Sequence, residues 1–189
     1  MNRILTEKNY KDVASDLGIE VEAIKAVAEV ESNGSGFLPN GYPKILFEGH
    51  LFHKFTGGKF DATEPTISYP KWTKEYYLGG VNEYRRLHIA AALDHTAALK
   101  ATSWGKFQIL GANYYDAGYE KISLFVHEMH ETEANHLKAF VNIIRSWNLV
   151  DALKYHKWDI FARKYNGSNY KQNNYDVKIA RAYNRMKLK

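Results

Sequence analysis

The chain has 189 residues, a formal net charge of +5 and no cysteine. The lack of cysteine excludes disulfides, thiolate metal sites and a cysteine nucleophile, and the length fits one domain over residues 1–189. The positive charge favours anionic partners such as nucleic acid, an anionic membrane or another acidic polymer. No apolar run approaches the roughly 20 residues that span a bilayer, and residues 1–8 lack the apolar core of a signal peptide.

Two helices are predicted at the start of the chain. Thr6 is a suitable N-cap and Gly18 a suitable terminator for the first helix. The second helix covers residues 21–32 and ends in a helix-breaking run, residues 32–36. Its apolar stripe continues at Glu31 and is formed by Ile24, Val27 and Ala28.

Glu31 is therefore predicted to lie at the C-terminal end of a helix, on the face that points inward. Burial raises a carboxyl pKa, and the negative end of the helix dipole acts in the same direction. A carboxyl group that is still protonated near neutral pH is what a glycosidase needs to protonate a leaving oxygen. The alternative is that Glu31 faces solvent or pairs with a lysine.

The rest of the chain is predicted to be mostly helical. A short apolar run at 45–47 precedes a helix over 48–55, and residues 56–82 form an irregular segment of the kind that often carries binding residues. After this segment the predicted helical or short elements are 83–100, 103–110, 123–131, 133–147, 159–165 and 175–187. The predicted fold class is mainly α, with a minor β element in the first third.

Four short motifs occur in order along residues 10–185. They are Val30-Glu31-Ser32 with Gly36-Phe37, Ile45-Leu46-Phe47-Glu48-x-His50, Ser103-Trp104-Gly105-x-Phe107-Gln108-Ile109-x-Gly111, and Tyr165-Asn166-Gly167. In this order they resemble the N-acetylmuramidase domain of phage endolysins, and they are similar to goose-type lysozymes and soluble lytic transglycosylases. The resemblance implies a lysozyme-like fold with two lobes around a groove.

The resemblance also implies roles for individual residues. Glu31 would be the catalytic acid and Glu48 a second important carboxylate. Because Glu48 would open its helix, the positive end of the helix dipole is expected to keep it ionised. The alternative is that Glu48 holds a buried arginine, histidine or backbone amide. Groove residues that would bind sugar hydroxyls and N-acetyl groups are Ser103, Gln108, Tyr165 and Asn166.

Other residues of these motifs have two interpretations. Gly105 is expected to let the backbone approach the sugar closely. Alternatively, the motif residues only cap and cross-link short helices around the core. Trp104 and Phe107 are expected to be core residues, and His50 is expected to orient Glu48 or pack near it.

No metal site is predicted. In residues 127–131 the two histidines are three apart and the glutamate does not fit the zinc-peptidase motif His-Glu-x-x-His, which needs two histidines one turn apart. A solvated helix face is the expected structure. The implied chemistry requires no cofactor.

The C-terminal residues 175–189 form a basic amphipathic segment. Its apolar face is predicted from Val177, Ala180, Tyr183 and Met186. We expect this helix to pack on the core. The alternative is a surface helix that contacts lipopolysaccharide or an anionic membrane.

The sequence thus predicts a monomeric muramidase that cleaves the β-1,4 bond between N-acetylmuramic acid and N-acetylglucosamine in peptidoglycan. The resemblance favours a phage or prophage endolysin made in the host cytoplasm and acting in the periplasm after release. Three alternatives remain: a lytic transglycosylase that forms 1,6-anhydro ends, a non-catalytic wall- or lipopolysaccharide-binding protein, and a nucleic-acid binder. No nucleic-acid motif supports the last of these.

Overall fold

The computed structural model describes residues 3–32, 34–167 and 170–188. Asn33 of the predicted helix-breaking run, Met1 and Asn2 of the N-terminal segment and Lys189 of the basic segment lie outside these residues. The described part contains ten α-helices and three short strands. In chain order they are α1 Glu7–Leu17, α2 Val21–Ser32, β1 Ile45–Phe47, α3 Gly49–Thr56, α4 Glu83–Leu93, α5 His95–Lys100, β2 Thr102–Trp104, β3 Ile109–Leu110, α6 Ile122–Glu131, α7 Glu133–Ser146, α8 Val150–Lys154, α9 Trp158–Tyr165 and α10 Tyr175–Lys187.

The boundaries of α1 follow from its capping residues. The Thr6 hydroxyl accepts a hydrogen bond from the Asn9 amide, and the Asn9 side chain accepts one from the Thr6 amide at 2.9 Å. Gly18 ends the helix in the left-handed region, with φ at 62°. Both predictions for this helix are confirmed, because each depends only on local chemistry.

Helix α2 packs against α10 more extensively than any other pair of described elements. The predicted stripe residues Ile24, Val27 and Ala28 are buried, and so are Ala23 and Ala26. Helix α10 packs on the core through Ile179, Ala182 and Tyr183. The predicted face of α10 was therefore only partly right, since Val177 is exposed. No described helix has the length and apolarity to cross a membrane.

The strands form one antiparallel sheet in the order β1-β2-β3. Leu46 pairs with Ser103 and Ser103 pairs with Leu110. The predicted β element in the first third of the chain is β1, but β2 and β3 lie in the middle of the chain. The predicted helical stretch 83–100 is also divided, because Asp94 adopts an extended conformation and caps α5 through Ala97 N at 2.9 Å.

Aromatic side chains from several elements fill the core. The rings of Phe107 and Phe140 stack with centroids 4.4 Å apart, and those of Phe161 and Tyr165 stack at 5.2 Å. Trp104 is 1% exposed and Phe107 is fully buried, so their prediction as core residues is confirmed. This packing holds the hairpin between β2 and β3 against the helical core.

The segment between α3 and α4 is irregular, as predicted, apart from a single 3₁₀ turn at Gly80–Asn82. A buried ion pair anchors its end, with Arg86 Nη1 3.1 Å from Glu83 Oε2. The other Glu83 oxygen accepts from the amides of Leu78 at 2.6 Å and Gly79 at 3.0 Å. A buried charge is tolerated only when it is paired and hydrogen-bonded, and both conditions are met here.

Candidate active site

Glu31 lies in the last turn of α2 and faces a groove. Its side chain is half-buried, and Asn166 Nδ2 donates a hydrogen bond to Glu31 Oε1 at 2.7 Å. Burial raises the pKa of Glu31 to about 7, although the Asn166 hydrogen bond acts in the opposite direction. A carboxyl group with this pKa is largely protonated at slightly acidic pH. Among the described residues, no lysine forms an ion pair with Glu31, contrary to one alternative.

Two lysines satisfy carbonyl groups beyond the end of α2. Lys44 Nζ donates to Ser32 O at 2.6 Å, and Lys106 Nζ donates to Gly34 O at 2.6 Å. The last carbonyl groups of a helix lack intrahelical partners and carry partial negative charge, so cations are favourable there. These contacts fix the turn after Glu31 and thereby the direction of its side chain.

Glu48 occupies the position between β1 and α3. It is the N-cap residue of α3, but its side chain does not cap the helix. Instead, the hydroxyl of Tyr77 donates to Glu48 Oε2, and His50 Nδ1 lies 3.5 Å from the same oxygen. The prediction that His50 packs near Glu48 is confirmed.

The expected ionisation of Glu48 needs correction. Burial raises its pKa, and this effect exceeds the lowering by the Tyr77 hydrogen bond and the Arg86 charge. The side chain makes no capping hydrogen bond to the first amides of α3, and burial outweighs any effect of the helix dipole on its pKa. Both carboxyl groups therefore have raised pKa values, instead of one raised and one lowered.

The turn between β2 and β3 places Gln108 at the groove. Gln108 has a positive φ of 46°, and its Nε2 donates to Gly105 O at 2.9 Å and to Lys44 O at 3.3 Å. A Cβ at Gly105 would lie 2.8 Å from the His136 ring, so this glycine is required for internal packing. Its expected close approach to the sugar stays a prediction. Ser103 also lines the groove, and its hydroxyl makes no hydrogen bond to any described residue.

Tyr165 lines the groove with its ring and uses its hydroxyl internally. The hydroxyl donates to Phe107 O at 2.7 Å. Burial and the nearby Glu31 carboxylate both raise the pKa of Tyr165 well above its usual value. Asn166 differs from Tyr165 in having an unused polar atom. Its Oδ1 is buried and has no hydrogen-bond partner among the described residues.

One groove with a volume of about 800 Å³ brings together all six predicted residues. They are Glu31, Glu48, Ser103, Gln108, Tyr165 and Asn166. Further residues that line the groove were not predicted individually, namely Trp72, Lys74, Tyr77, Tyr175 and Lys178. Only their place in an aromatic irregular segment or next to a charged helix start could have suggested them.

Tyr175 stands within electrostatic reach of both carboxyl groups. Burial, followed by the charges of Glu31 and Glu48, raises its pKa to about 12. Tyr175 is the first residue of α10 and follows Asn174, which has a φ of 52°. The groove is therefore completed by the helix that also packs along α2.

The described residues contain no group of three histidine, aspartate or glutamate side chains that could hold a metal ion. In the segment 127–131, His127 is exposed and His130 Nδ1 lies 2.8 Å from Val126 O. The groove offers proton donors, amides and hydroxyls. Such a set suits acid catalysis on a sugar polymer, since it needs no bound ion.

A mainly helical fold with a protonatable glutamate and a second carboxyl group in one groove defines a class: a glycoside hydrolase with a lysozyme-like fold. The comparisons are more specific. A model of the N-acetylmuramidase family matches residues 20–187. The chain therefore belongs to the N-acetylmuramidase family, and peptidoglycan is the substrate that this assignment implies.

A solved structure agrees with this assignment. The crystal structure of a Burkholderia AP3 phage endolysin matches with a TM-score of 0.86 and 38% identity, over 100% of this chain and 74% of that chain. The match confirms the predicted fold class. No curated protein matches the chain. The transglycosylase, non-catalytic and nucleic-acid alternatives are not favoured.

Proposed function

We propose that this protein hydrolyses the β-1,4 bond between N-acetylmuramic acid and N-acetylglucosamine in peptidoglycan, with Glu31 as the catalytic acid. The observation that carries the proposal is the half-buried Glu31 carboxyl group in the groove, oriented by Asn166 and with a pKa near 7. The motif order, the family match and the similarity to a phage endolysin support the same activity.

In the first step the Glu31 carboxyl group donates its proton to the glycosidic oxygen. The bond between that oxygen and C1 of the muramic-acid ring breaks, and its electron pair goes to the oxygen. The leaving N-acetylglucosamine thereby gains a hydroxyl group, and positive charge develops at C1 and the ring oxygen. The hydrogen bond from Asn166 stabilises the carboxylate that Glu31 becomes.

In the second step water adds to C1 and loses a proton. Glu48, in its ionised form, accepts this proton or stabilises the positive charge at C1. Exchange with solvent then returns both carboxyl groups to their starting protonation states. The net reaction consumes one water molecule for each bond cleaved.

The remaining predicted residues would bind the glycan strand. Ser103 offers a hydroxyl group without a partner among the described residues, and Asn166 offers a buried Oδ1 that lacks a donor. An N-acetyl N–H or a sugar hydroxyl would satisfy that oxygen. Gln108 and Tyr165 would contribute mainly by shape, since their Nε2 and hydroxyl donors already bind backbone carbonyls.

The proposed partner is the glycan strand, bound by a monomeric enzyme that acts on the host wall. A lipopolysaccharide contact through residues 175–189 has less support. Arg185 binds Glu29 and Lys187 binds Glu20, so part of the basic charge is paired with α2 and the loop before it. Release into the periplasm remains part of the proposal and follows the similarity to a phage endolysin.

The test is mass spectrometry of the soluble products of purified peptidoglycan digested by wild type, Glu31→Gln and a control, Glu22→Gln. Glu22 lies in the first turn of α2 and does not line the groove. We expect reducing muramic-acid ends from wild type and the control, and a loss of at least roughly 100-fold in Glu31→Gln. Anhydro ends would contradict hydrolysis, and equal release by Glu31→Gln would contradict its role as the acid.

A further inference from the structure

We propose that Tyr77 is a positioning residue for Glu48, and that the buried Glu83–Arg86 ion pair holds both residues in position. This inference rests on the proposed function, because it assigns a supporting role at the same site. Tyr77, Glu83 and Arg86 lie outside the four sequence motifs. The irregular segment after α3 would then be part of the catalytic machinery, not merely a surface loop.

The first observation is the contact itself. The Tyr77 hydroxyl donates to Glu48 Oε2 and joins two residues that are 29 positions apart in the chain. Tyr77 belongs to no helix or strand, and both residues line the groove. A tyrosine in an irregular segment keeps one position only if its backbone is held elsewhere.

The second observation shows what holds it. The amides of Leu78 and Gly79, directly after Tyr77, donate to Glu83 Oε1 at 2.6 and 3.0 Å. The other oxygen, Glu83 Oε2, accepts from the amide of Phe47 at 3.3 Å. Phe47 directly precedes Glu48. One carboxylate thus binds the chain beside both members of the Tyr77–Glu48 pair.

Arg86 completes the connection. Its Nη1 donates to Phe47 O at 2.9 Å, so both polar backbone groups of Phe47 are bound by this ion pair. Its guanidinium carbon also lies 5.7 Å from the centre of the Tyr77 ring. Arg86 is 3% exposed and Glu83 is fully buried. A pair this well buried and bonded is rigid, which suits a positioning function.

Tyr69 contacts Gly49, the residue directly after Glu48. Its hydroxyl accepts from Arg86 Nη2 at 3.3 Å, and its ring packs on Gly49, where a Cβ would lie 2.3 Å from the ring. The residues on both sides of Glu48 are therefore held by Arg86, directly at Phe47 and through Tyr69 at Gly49. Glu48 thus has both neighbouring residues held in place, and its side chain contacts Tyr77 at the groove.

The groups around Glu48 determine whether loss of the Tyr77 hydroxyl raises or lowers the pKa of Glu48. Tyr77 from the irregular segment and Arg86 from α4 favour its ionised form, while burial and Glu83 oppose it. His50 from α3 lies 3.5 Å away, and Tyr69 and Tyr175 complete the titratable surroundings. Removing the Tyr77 hydroxyl takes away a donor to the carboxylate, so the pKa of Glu48 rises.

The experiment compares Tyr77→Phe with Tyr76→Phe, which removes the neighbouring hydroxyl without touching Glu48. The pH profile of kcat/KM on peptidoglycan and the carboxyl ¹³C NMR titration of Glu48 are measured for both. In Tyr77→Phe we expect the acidic limb and the Glu48 titration to move up by about 0.5–1 pH unit, and kcat to fall roughly tenfold with KM nearly unchanged. Tyr76→Phe should behave as wild type.

An unchanged Glu48 titration in Tyr77→Phe would overturn the proposal, and so would a change in KM alone. The NMR titration needs no turnover, so a failure of the proposed hydrolysis is distinguishable from a failure of this inference.

The ion pair is tested with Arg86→Lys, which keeps the charge but loses the forked contacts. Hydrogen exchange at the Leu78 and Gly79 amides should accelerate about tenfold or more, while the Leu38 amide, bound to Tyr42 O at 2.7 Å, stays protected. Unchanged protection at residues 78 and 79 would exclude the ion pair as the anchor.

Discussion

At the scale of single residues, the two groove carboxyl groups share one property and differ in their donors. Burial raises the pKa of both Glu31 and Glu48. Glu31 accepts from an uncharged amide, whereas Glu48 accepts from a phenol close to a guanidinium. The different roles of the two carboxyl groups would therefore arise from neighbouring side chains and not from the helix ends, because the Glu48 side chain makes no capping hydrogen bond to α3.

Glu31 should destabilise the folded protein above its pKa. Its folded-state pKa of about 7 lies above the ordinary 4.5, so the folded state binds the extra proton between these values. Stability is retained below pH 4.5 and is lost as pH rises through 7. Glu31→Gln removes this loss, and we expect it to be more stable than wild type at pH 8 by about 1–3 kcal/mol, with the difference shrinking toward pH 4.5.

Urea unfolding of both proteins at several pH values measures this difference. A constant difference from pH 4.5 to 8 would contradict the raised pKa of Glu31. Glu22→Gln is again the matched variant, because it changes the same charge at the other end of α2 and lies outside the groove. Its stability relative to wild type should not follow the same pH course.

The sequence located Glu31 because one helical stripe, with its 3.6-residue period, shows which face is buried. Gln108 was expected in the groove, yet its left-handed backbone could not be predicted, since glutamine rarely adopts that conformation and local sequence does not demand it. Tyr77 was missed because its position depends on Glu83 and Arg86, which follow it in the chain. In the folded protein Glu83 binds the amide of Leu78, directly after Tyr77, and the Arg86 guanidinium lies near the Tyr77 ring.

At the scale of elements, the two ends of α3 differ in what they contact near the groove. Gly49 begins the helix and supports the Tyr69 ring, while Gly57 ends it with a φ of 64° and open space around its Cα. We expect Gly49→Ala to displace Tyr69, to cost about 1–3 kcal/mol of stability and to lower kcat/KM roughly tenfold or more. Enzyme assays and thermal unfolding of the purified variants would measure both effects.

Gly57→Ala provides the matched control at the other end of α3. It forces an alanine into the left-handed region and should cost about 1 kcal/mol of stability, but it should leave kcat/KM unchanged. An equal loss of activity in both variants would mean that α3 stability, not the packing of Tyr69 at Gly49, supports Glu48.

Element boundaries were predictable where a local signal marks them. Thr6 and Gly18 delimit α1, and α10 begins and ends where the sequence pattern places it. Strands β2 and β3 have three and two residues, too few for an alternating pattern to be recognised. The break at Asp94 needed its capping bond to Ala97 N, which competes with a continuous helix over 83–100.

At the scale of the whole molecule, the groove is lined by two carboxyl groups and by several lysines. Lys74, Lys164 and Lys178 line it, and Lys74 Nζ donates to Asn173 Oδ1 at 3.1 Å. Peptidoglycan carries carboxylates on its stem peptides, and on those lactyl groups that bear no peptide, so these lysines should attract the strand at low ionic strength.

We expect Lys178→Gln to raise KM for peptidoglycan about two- to threefold at low salt, and the difference from wild type to vanish near 0.5 M salt, roughly, because screening then removes the attraction. Lys138→Gln, on an exposed part of α7 that does not line the groove, is the matched control. Steady-state kinetics at several salt concentrations gives the answer. A loss that is the same at all salt concentrations would point to a direct hydrogen bond instead.

The packing of α2 along α10 has a consequence for the order of events during synthesis. Glu31 emerges from the ribosome early, but the helix that covers α2 and supplies Tyr175 is translated much later. A nascent chain that stops before residue 175 lacks the helix that packs most extensively on α2, and it lacks the Tyr175 and Lys178 side chains of the groove. Lysis by this fold is thus postponed until α10 has been translated, and fragments that end before residue 175 would be harmless to the cell that produces them.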